Sequence, residues 1–87
     1  MNETVRVTAE KIRKLEIQGA RNVAIAAIKA LEALAEQTKM QTRRDFLGEL
    51  LEAQTLLIAS RETEPLMRNA VHWVITRVED SDERHVT

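Results

Sequence analysis

The 87-residue sequence has no cysteine and no tyrosine, and it contains only one proline, two glycines, one tryptophan and one phenylalanine. Without cysteine the chain has no disulfide framework, no thiolate metal ligand and no thiol nucleophile. The scarcity of glycine and proline leaves few signals for hairpins, while hydrophobic residues make up 44% of the chain. This composition favours an all-α fold.

The charges nearly cancel, with 14 acidic and 13 basic residues, and aromatic residues make up 2% of the chain. Nucleic-acid binding needs clustered Lys and Arg or aromatic stacking platforms, so we expect no direct nucleic-acid partner. Residues 1–16 carry charge throughout and lack the apolar core that a signal peptide needs. No run in the sequence reaches the roughly 18 apolar residues of a membrane span. We therefore expect a cytoplasmic protein with no membrane partner.

A chain of this length forms one domain at most. Such a domain buries only roughly 60% of the surface that its unfolded chain exposes, which limits its stability. We therefore expect a protein partner or self-association.

Hydrophobic periodicity predicts a small bundle of about four helices over residues 8–79. A short first helix starts at Thr8, which supplies a cap, and carries Ile12 and Leu15 on one face; residues 1–7 stay unassigned. The clearest helix covers residues 19–37 and has small or apolar residues around much of its circumference, which predicts a central place in the bundle. Its predicted buried face consists of Ala20, Val23, Ala24, Ala27, Ile28, Leu31, Leu34 and Ala35.

The second half of the chain predicts two more helices. One covers residues 43–60, and Gly48 inside it costs about 1 kcal/mol relative to alanine. The last covers about residues 66–78, with Thr63 as its cap and Pro65 in its first turn. The acidic tail, residues 80–87, has no periodicity and is expected to be disordered.

No residue of the sequence is assigned a catalytic role, and no metal or cofactor is predicted. His72 and His85 do not share the spacing that puts two ligands on one helix face. Glu49 and Glu52 lie three residues apart, but a solvated helix face explains them better than acid–base chemistry.

One helix start has the features of an anion site. Gly19 precedes the long second helix, whose start presents free N–H groups and the positive end of the helix dipole. Because Gly19 has no Cβ, a phosphate can approach the backbone there. Arg61 follows the third helix and is placed to clamp a phosphate. In the alternative interpretation, Gly19 only permits a turn and Arg61 caps carbonyl groups at a helix C-terminus.

Two segments carry a family resemblance: residues 11–21 read KIRKLEIQGAR, and residues 56–75 read LLIASRETEPLMRNAVHWVI. They resemble the N-terminal helical domain of the translation initiation factor 2B alpha/beta/delta subunit family, which includes ribose-1,5-bisphosphate and methylthioribose-1-phosphate isomerases. The resemblance spans about residues 8–79. It implies that Ile17, Gly19 and Ala20 match a motif that contacts a substrate phosphate, and that Arg61 and Thr63 match a second substrate-binding motif.

The sequence also departs from the isomerase pattern. Gln18 stands where the isomerases have arginine, Arg21 where they often have glycine, and Glu62 where proline follows the arginine. The loss of a guanidinium at position 18 and the added charge at Glu62 weaken phosphate binding, and Arg21 restores part of the positive charge. The candidate ligand-binding residues are Gln18, Gly19, Ala20, Arg21 and Arg61.

Three functions stay open at this stage. The preferred one is a non-catalytic helical domain of an initiation factor 2B-like protein, which acts in subunit association or in regulation of translation initiation. The alternative is the phosphate-binding N-terminal part of a ribose-1,5-bisphosphate-type isomerase, because the resemblance places the catalytic cysteine and aspartate in a separate C-terminal domain. The expected ligand of such a larger protein is a phosphorylated sugar or a nucleotide. The sequence beyond Thr87 would distinguish the preferred function from the alternative. The third is a bundle unrelated to translation, favoured if Gly19 and Arg61 lie on different sides.

Overall fold

The first helix, α1, begins earlier than the sequence predicts. The computed structural model describes the backbone of residues 2–86 and the side chains of residues 2–79, and α1 spans Glu3–Arg13. The Asn2 side chain accepts a hydrogen bond from the Val5 N–H, and Val5 opens a buried stripe that continues through Ala9 and Ile12. The predicted start at Thr8 is therefore wrong, because a single capping side chain at Asn2 begins the helix one and a half turns earlier.

Helix α2 spans Ala20–Gln37 and contacts all three other helices, so it lies centrally as predicted, a position that it shares with α3. Most of its predicted apolar face is buried, and Ala30 is buried as well. Ala20 and Ala35, at the two ends of that face, are exposed.

Helix α3 spans Arg43–Ser60, as the sequence predicts, and buries Leu50, Ala53 and Leu57. The Thr42 hydroxyl caps it by accepting a hydrogen bond from the Asp45 N–H at 3.1 Å. Gly48 lies inside this helix on an exposed face and does not interrupt it.

Helix α4 spans Pro65–Val86 and buries Met67, Val71 and Ile75. Pro65 takes the first helical position, as predicted, but the Glu64 carbonyl accepts the first helical hydrogen bond, from the Arg68 N–H. Glu64 rather than Thr63 thus stands at the cap position. The helix continues through Val86, and the disorder predicted for the tail 80–87 in solution stays a prediction.

The four helices share one apolar core, and no strand occurs in residues 2–86, which confirms the all-α prediction. Helix α1 packs on α2 and α3, and α4 packs on the same two helices. Within the described residues, no helix is both long and apolar enough to cross a membrane. The core side chains are Val5, Ala9, Ile12, Val23, Ala27, Ala30, Leu31, Leu34, Leu50, Ala53, Leu57, Met67, Val71 and Ile75.

Candidate anion site at one end of the bundle

The connection between α1 and α2 begins with a tight reversal of the backbone. The Glu16 N–H donates to the Lys11 carbonyl at 2.9 Å, and the Leu15 N–H donates to the Ile12 carbonyl at 3.1 Å. This pair of bonds is the Schellman arrangement, and it places Leu15 in the left-handed region with φ +66°. Leu15 is 55% exposed, so its predicted place on the buried face of α1 is wrong.

Gly19 holds the position just before α2 and has φ +88° and ψ +132°. This backbone region is open to glycine and strained for residues with a Cβ. No side chain caps the first turn of α2. Among the side chains of residues 2–79, none is a capping partner for the N–H groups of this turn, and Ala20, at the first helical position, is exposed.

The start of α2 differs from the starts of α1 and α3 in having no acidic residue. Each of those helices carries an acid in its first turn, Glu3 and Asp45, which compensates the positive end of the helix dipole. The first turn of α2 has no acid and instead carries exposed Arg21. The positive end of the α2 dipole is therefore not compensated by an acid in its own first turn.

Gln18 does not extend toward this helix start. Its side-chain Nε2 donates to the Leu15 backbone carbonyl at 2.7 Å, and the backbone carbonyl of Gln18 accepts a hydrogen bond from Asn22 Nδ2 at 3.2 Å. Gln18 therefore stabilises the connection that leads to Gly19, and its amide is already engaged.

Arg61 reaches this connection from the end of α3. Its Nη2 donates to the Ile12 carbonyl at 2.7 Å and to the Ile17 carbonyl at 3.3 Å. Ile17 lies two residues before Gly19, so Arg61 and Gly19 share one end of the bundle. As the alternative interpretation holds, Arg61 does cap carbonyl groups at helix C-termini: its side chain donates to the Ile12 carbonyl at the end of α1, and its backbone N–H donates to the Ile58 carbonyl at the end of α3.

The cations at this end of the bundle differ in their partners. Arg13 and Lys14 both pair with Glu10, and the hydrogen bond from Arg13 lowers the pKa of the Glu10 carboxyl. Among the described side chains, residues 2–79, no carboxylate lies within ion-pair distance of Arg21 or Arg61. Arg61 is instead engaged by the carbonyl groups of Ile12 and Ile17, and Arg21 is exposed.

The other polar residues considered above have structural surroundings. Glu49 accepts a hydrogen bond from the Thr38 hydroxyl at 2.7 Å, which joins the end of α2 to α3. His72 is exposed, and His85 lies outside the described side chains. No group of acidic or histidine side chains in the described part of the chain is arranged to hold a metal ion.

Sequence reasoning missed the contacts that shape this end of the bundle. The carbonyl bonds of Arg61 join residues 49 and 44 positions apart. No local pattern signals them. The left-handed Leu15 was also missed, because leucine at this position gives no turn signal.

The chain matches a protein-family model over most of its length. The model described as "Initiation factor 2 subunit family" matches residues 16–87. The chain belongs to this family. The match confirms the resemblance seen in the motifs around Gly19 and Arg61 and contradicts the interpretation of an unrelated bundle.

Curated members of the family give closer relatives. The chain is 39% identical over 69 residues to the ribose 1,5-bisphosphate isomerase of Pyrococcus furiosus, which covers 79% of this chain and 21% of that protein. The isomerase of the same name from Thermococcus kodakarensis is 36% identical over 69 residues, with the same shares of 79% and 21%. The one from Methanocaldococcus jannaschii is 29% identical over 82 residues, which is 94% of this chain and 27% of that protein.

The chain thus spans 21% to 27% of the length of these relatives. No solved structure matches it.

Proposed function

We propose that this chain is the phosphate-binding helical part of a ribose-1,5-bisphosphate-isomerase-type protein. The observation that carries the proposal is the start of α2, where Gly19 and Arg21 lie beside first-turn N–H groups with no acid in that turn, next to the connection that Arg61 holds. The relatives named ribose 1,5-bisphosphate isomerase support the choice of a phosphorylated sugar as ligand.

The chemistry of the site suits a phosphate ester. First-turn N–H groups donate to phosphate oxygens, and the helix dipole favours a dianion there. Gly19 has no Cβ, which lets an oxygen approach the backbone.

We assign no reaction to this chain by itself. Isomerisation of a sugar phosphate moves protons between carbon and oxygen atoms, which requires a positioned acid and base. The described residues at the start of α2 offer cations and N–H donors, and the sequence has no cysteine. In this proposal the chain binds the phosphate, and the groups that carry out the chemistry lie outside the 21% to 27% of the relatives' length that this chain matches.

The proposal is tested by titrating the ¹⁵N-labelled chain with ribose 1,5-bisphosphate. We expect the amide resonances of Gly19, Ala20 and Arg61 to shift in a saturable way, and inorganic phosphate to shift the same resonances at higher concentration. No shift at millimolar ribose 1,5-bisphosphate would contradict the site.

A matched pair of variants separates this site from general attraction of anions. Arg21→Gln removes a charge from the first turn of α2, and Lys29→Gln removes one from an exposed position farther along the same helix. We expect Arg21→Gln to weaken binding about fivefold to tenfold and Lys29→Gln to leave it within about twofold. Equal losses in both variants would show that only net charge matters.

The second candidate function is non-catalytic, namely subunit association or regulation in translation initiation, and one observation favours it. Trp73 on α4 is 60% exposed and Leu66, two helical turns earlier, is 46% exposed. Exposed large apolar side chains on one helix are typical of a surface that another protein covers. Sedimentation at high micromolar concentration, together with binding of a hydrophobic dye, tests it, and a monomer that binds no dye would contradict self-association.

A further inference from the structure

The Arg61 side chain links the two connections at the site end of the bundle. Its half-buried guanidinium donates from Nη2 to the carbonyl groups of Ile12, in the last turn of α1, and Ile17, in the connection to α2. Its own carbonyl accepts a hydrogen bond from the Glu64 N–H at 3.2 Å, in the turn that leads to α4. One residue therefore contacts both the α1–α2 and the α3–α4 connections.

The two carbonyl bonds restrain the backbone that leads into Gly19. Ile12 lies before the left-handed Leu15 and Ile17 lies after it, so one nitrogen holds both sides of the reversal. The Ile17 bond acts two residues before Gly19, whose dihedral angles set the direction in which α2 begins. A lysine ammonium keeps the charge at position 61 but lacks the rigid planar fork of donors.

We infer that Arg61 is a positioning residue for the proposed phosphate site: it fixes the backbone from Ile12 to Ile17 and thereby aims the first N–H groups of α2. The inference deepens the proposed function and rests on it for its ligand. The restraint on the backbone exists without ligand, so it is measured independently of whether phosphate binds.

The first experiment uses the ligand-free full chain and its variants Arg61→Lys and Arg43→Lys. Arg43 is the matched control, because its Nη2 also donates to a distant carbonyl, that of Val78, and it lies beyond the far end of α2. We expect Arg61→Lys to speed hydrogen exchange of the Glu16 and Ile17 amides at least about tenfold, while Arg43→Lys changes them less than about twofold. Unchanged exchange in Arg61→Lys would overturn the inference.

A measurement on the wild-type chain covers the case in which Arg61→Lys fails to fold. The Nη2 hydrogens of Arg61 should exchange with water more slowly than those of exposed Arg44, because two carbonyl groups hold them. Equal exchange at the two guanidinium groups would overturn the inference without any variant.

The ligand arm measures affinity for ribose 1,5-bisphosphate. A positioning role predicts that Arg61→Lys loses affinity at least about tenfold although its charge is kept, and that Arg61→Gln loses no more than a few-fold beyond that. Full affinity in Arg61→Lys with a loss only in Arg61→Gln would show a role through charge alone and overturn the inference. Absence of binding in the wild type would instead refute the proposed function, and the ligand-free exchange would still decide the restraint.

Discussion

Gly19 lies at the proposed phosphate site and has a backbone conformation that favours glycine. A Cβ added there would meet only Asn22 Nδ2, at an ordinary 3.6 Å, so space does not require glycine. The φ of +88° does require it. We expect Gly19→Ala to lower the free energy of unfolding by about 1–3 kcal/mol through backbone strain, measured by urea denaturation.

Gly48 provides the matched control for that substitution. It lies on an exposed face inside α3, and a Cβ there meets nothing within 4 Å. Gly48→Ala should raise the free energy of unfolding by about 0.5–1 kcal/mol, because alanine has the higher helix propensity. Changes of the same sign in both variants would show that the conformation of Gly19 is not the cause.

Leu15 is the opposite case, a residue with a Cβ where glycine is favoured. Its φ of +66° costs about 1–2 kcal/mol, and its side chain, 55% exposed, recovers little of this by packing. Leu15→Gly should therefore raise the free energy of unfolding by about 0.5–1 kcal/mol in thermal or urea unfolding. A lower value would mean that the leucine side chain contributes more by packing than the backbone loses by strain.

At the scale of the elements, the sequence predicted the helix bounds that depend on nearby residues. The bounds of α3 follow from the cap at Thr42 and from the apolar spacing that ends near Ser60. The start of α1 was mispredicted, because Asn2 acts as its cap ahead of a stretch whose apolar residues are too few to show a period. The arrangement of the candidate site was beyond prediction, since Arg61 reaches Ile12 across 49 positions.

The role of Asn2 in starting α1 is tested by removing its side-chain oxygen. Asn2 accepts from the Val5 N–H at 3.1 Å, and its Nδ2 donates to Gln37 Oε1 at 3.0 Å. Asn2→Ala should lower the free energy of unfolding by about 1 kcal/mol and speed amide exchange in the first turn of α1. Asn2→Asp keeps the capping oxygen and should lose much less, so an equal loss would assign the effect to the bond with Gln37.

At the scale of the whole molecule, α4 exposes a large apolar side chain that the bundle does not cover. Trp73 is the only tryptophan of the chain, it is 60% exposed, and the Arg77 guanidinium lies 5.2 Å from its ring centroid. Its fluorescence therefore reports on this surface alone. If another protein molecule covers it, the emission should shift to the blue as chain concentration rises, and quenching by acrylamide should weaken.

A substitution at this surface separates association from folding. Trp73→Ser should change the free energy of unfolding by less than about 0.5 kcal/mol, because the indole is largely outside the core. It should abolish concentration-dependent sedimentation. Association that persists in Trp73→Ser would place the contact elsewhere.

The contacts of Arg61 also determine how far the proposed site can be separated from the rest of the protein. A peptide of residues 11–21 would contain Gly19 and Arg21 but not the guanidinium that holds the backbone at Ile12 and Ile17, because that guanidinium comes from the end of α3. Local unfolding of α3 would release the site together with the helix. A ligand that binds there binds only the folded chain, so by linkage it raises the melting temperature of the entire bundle.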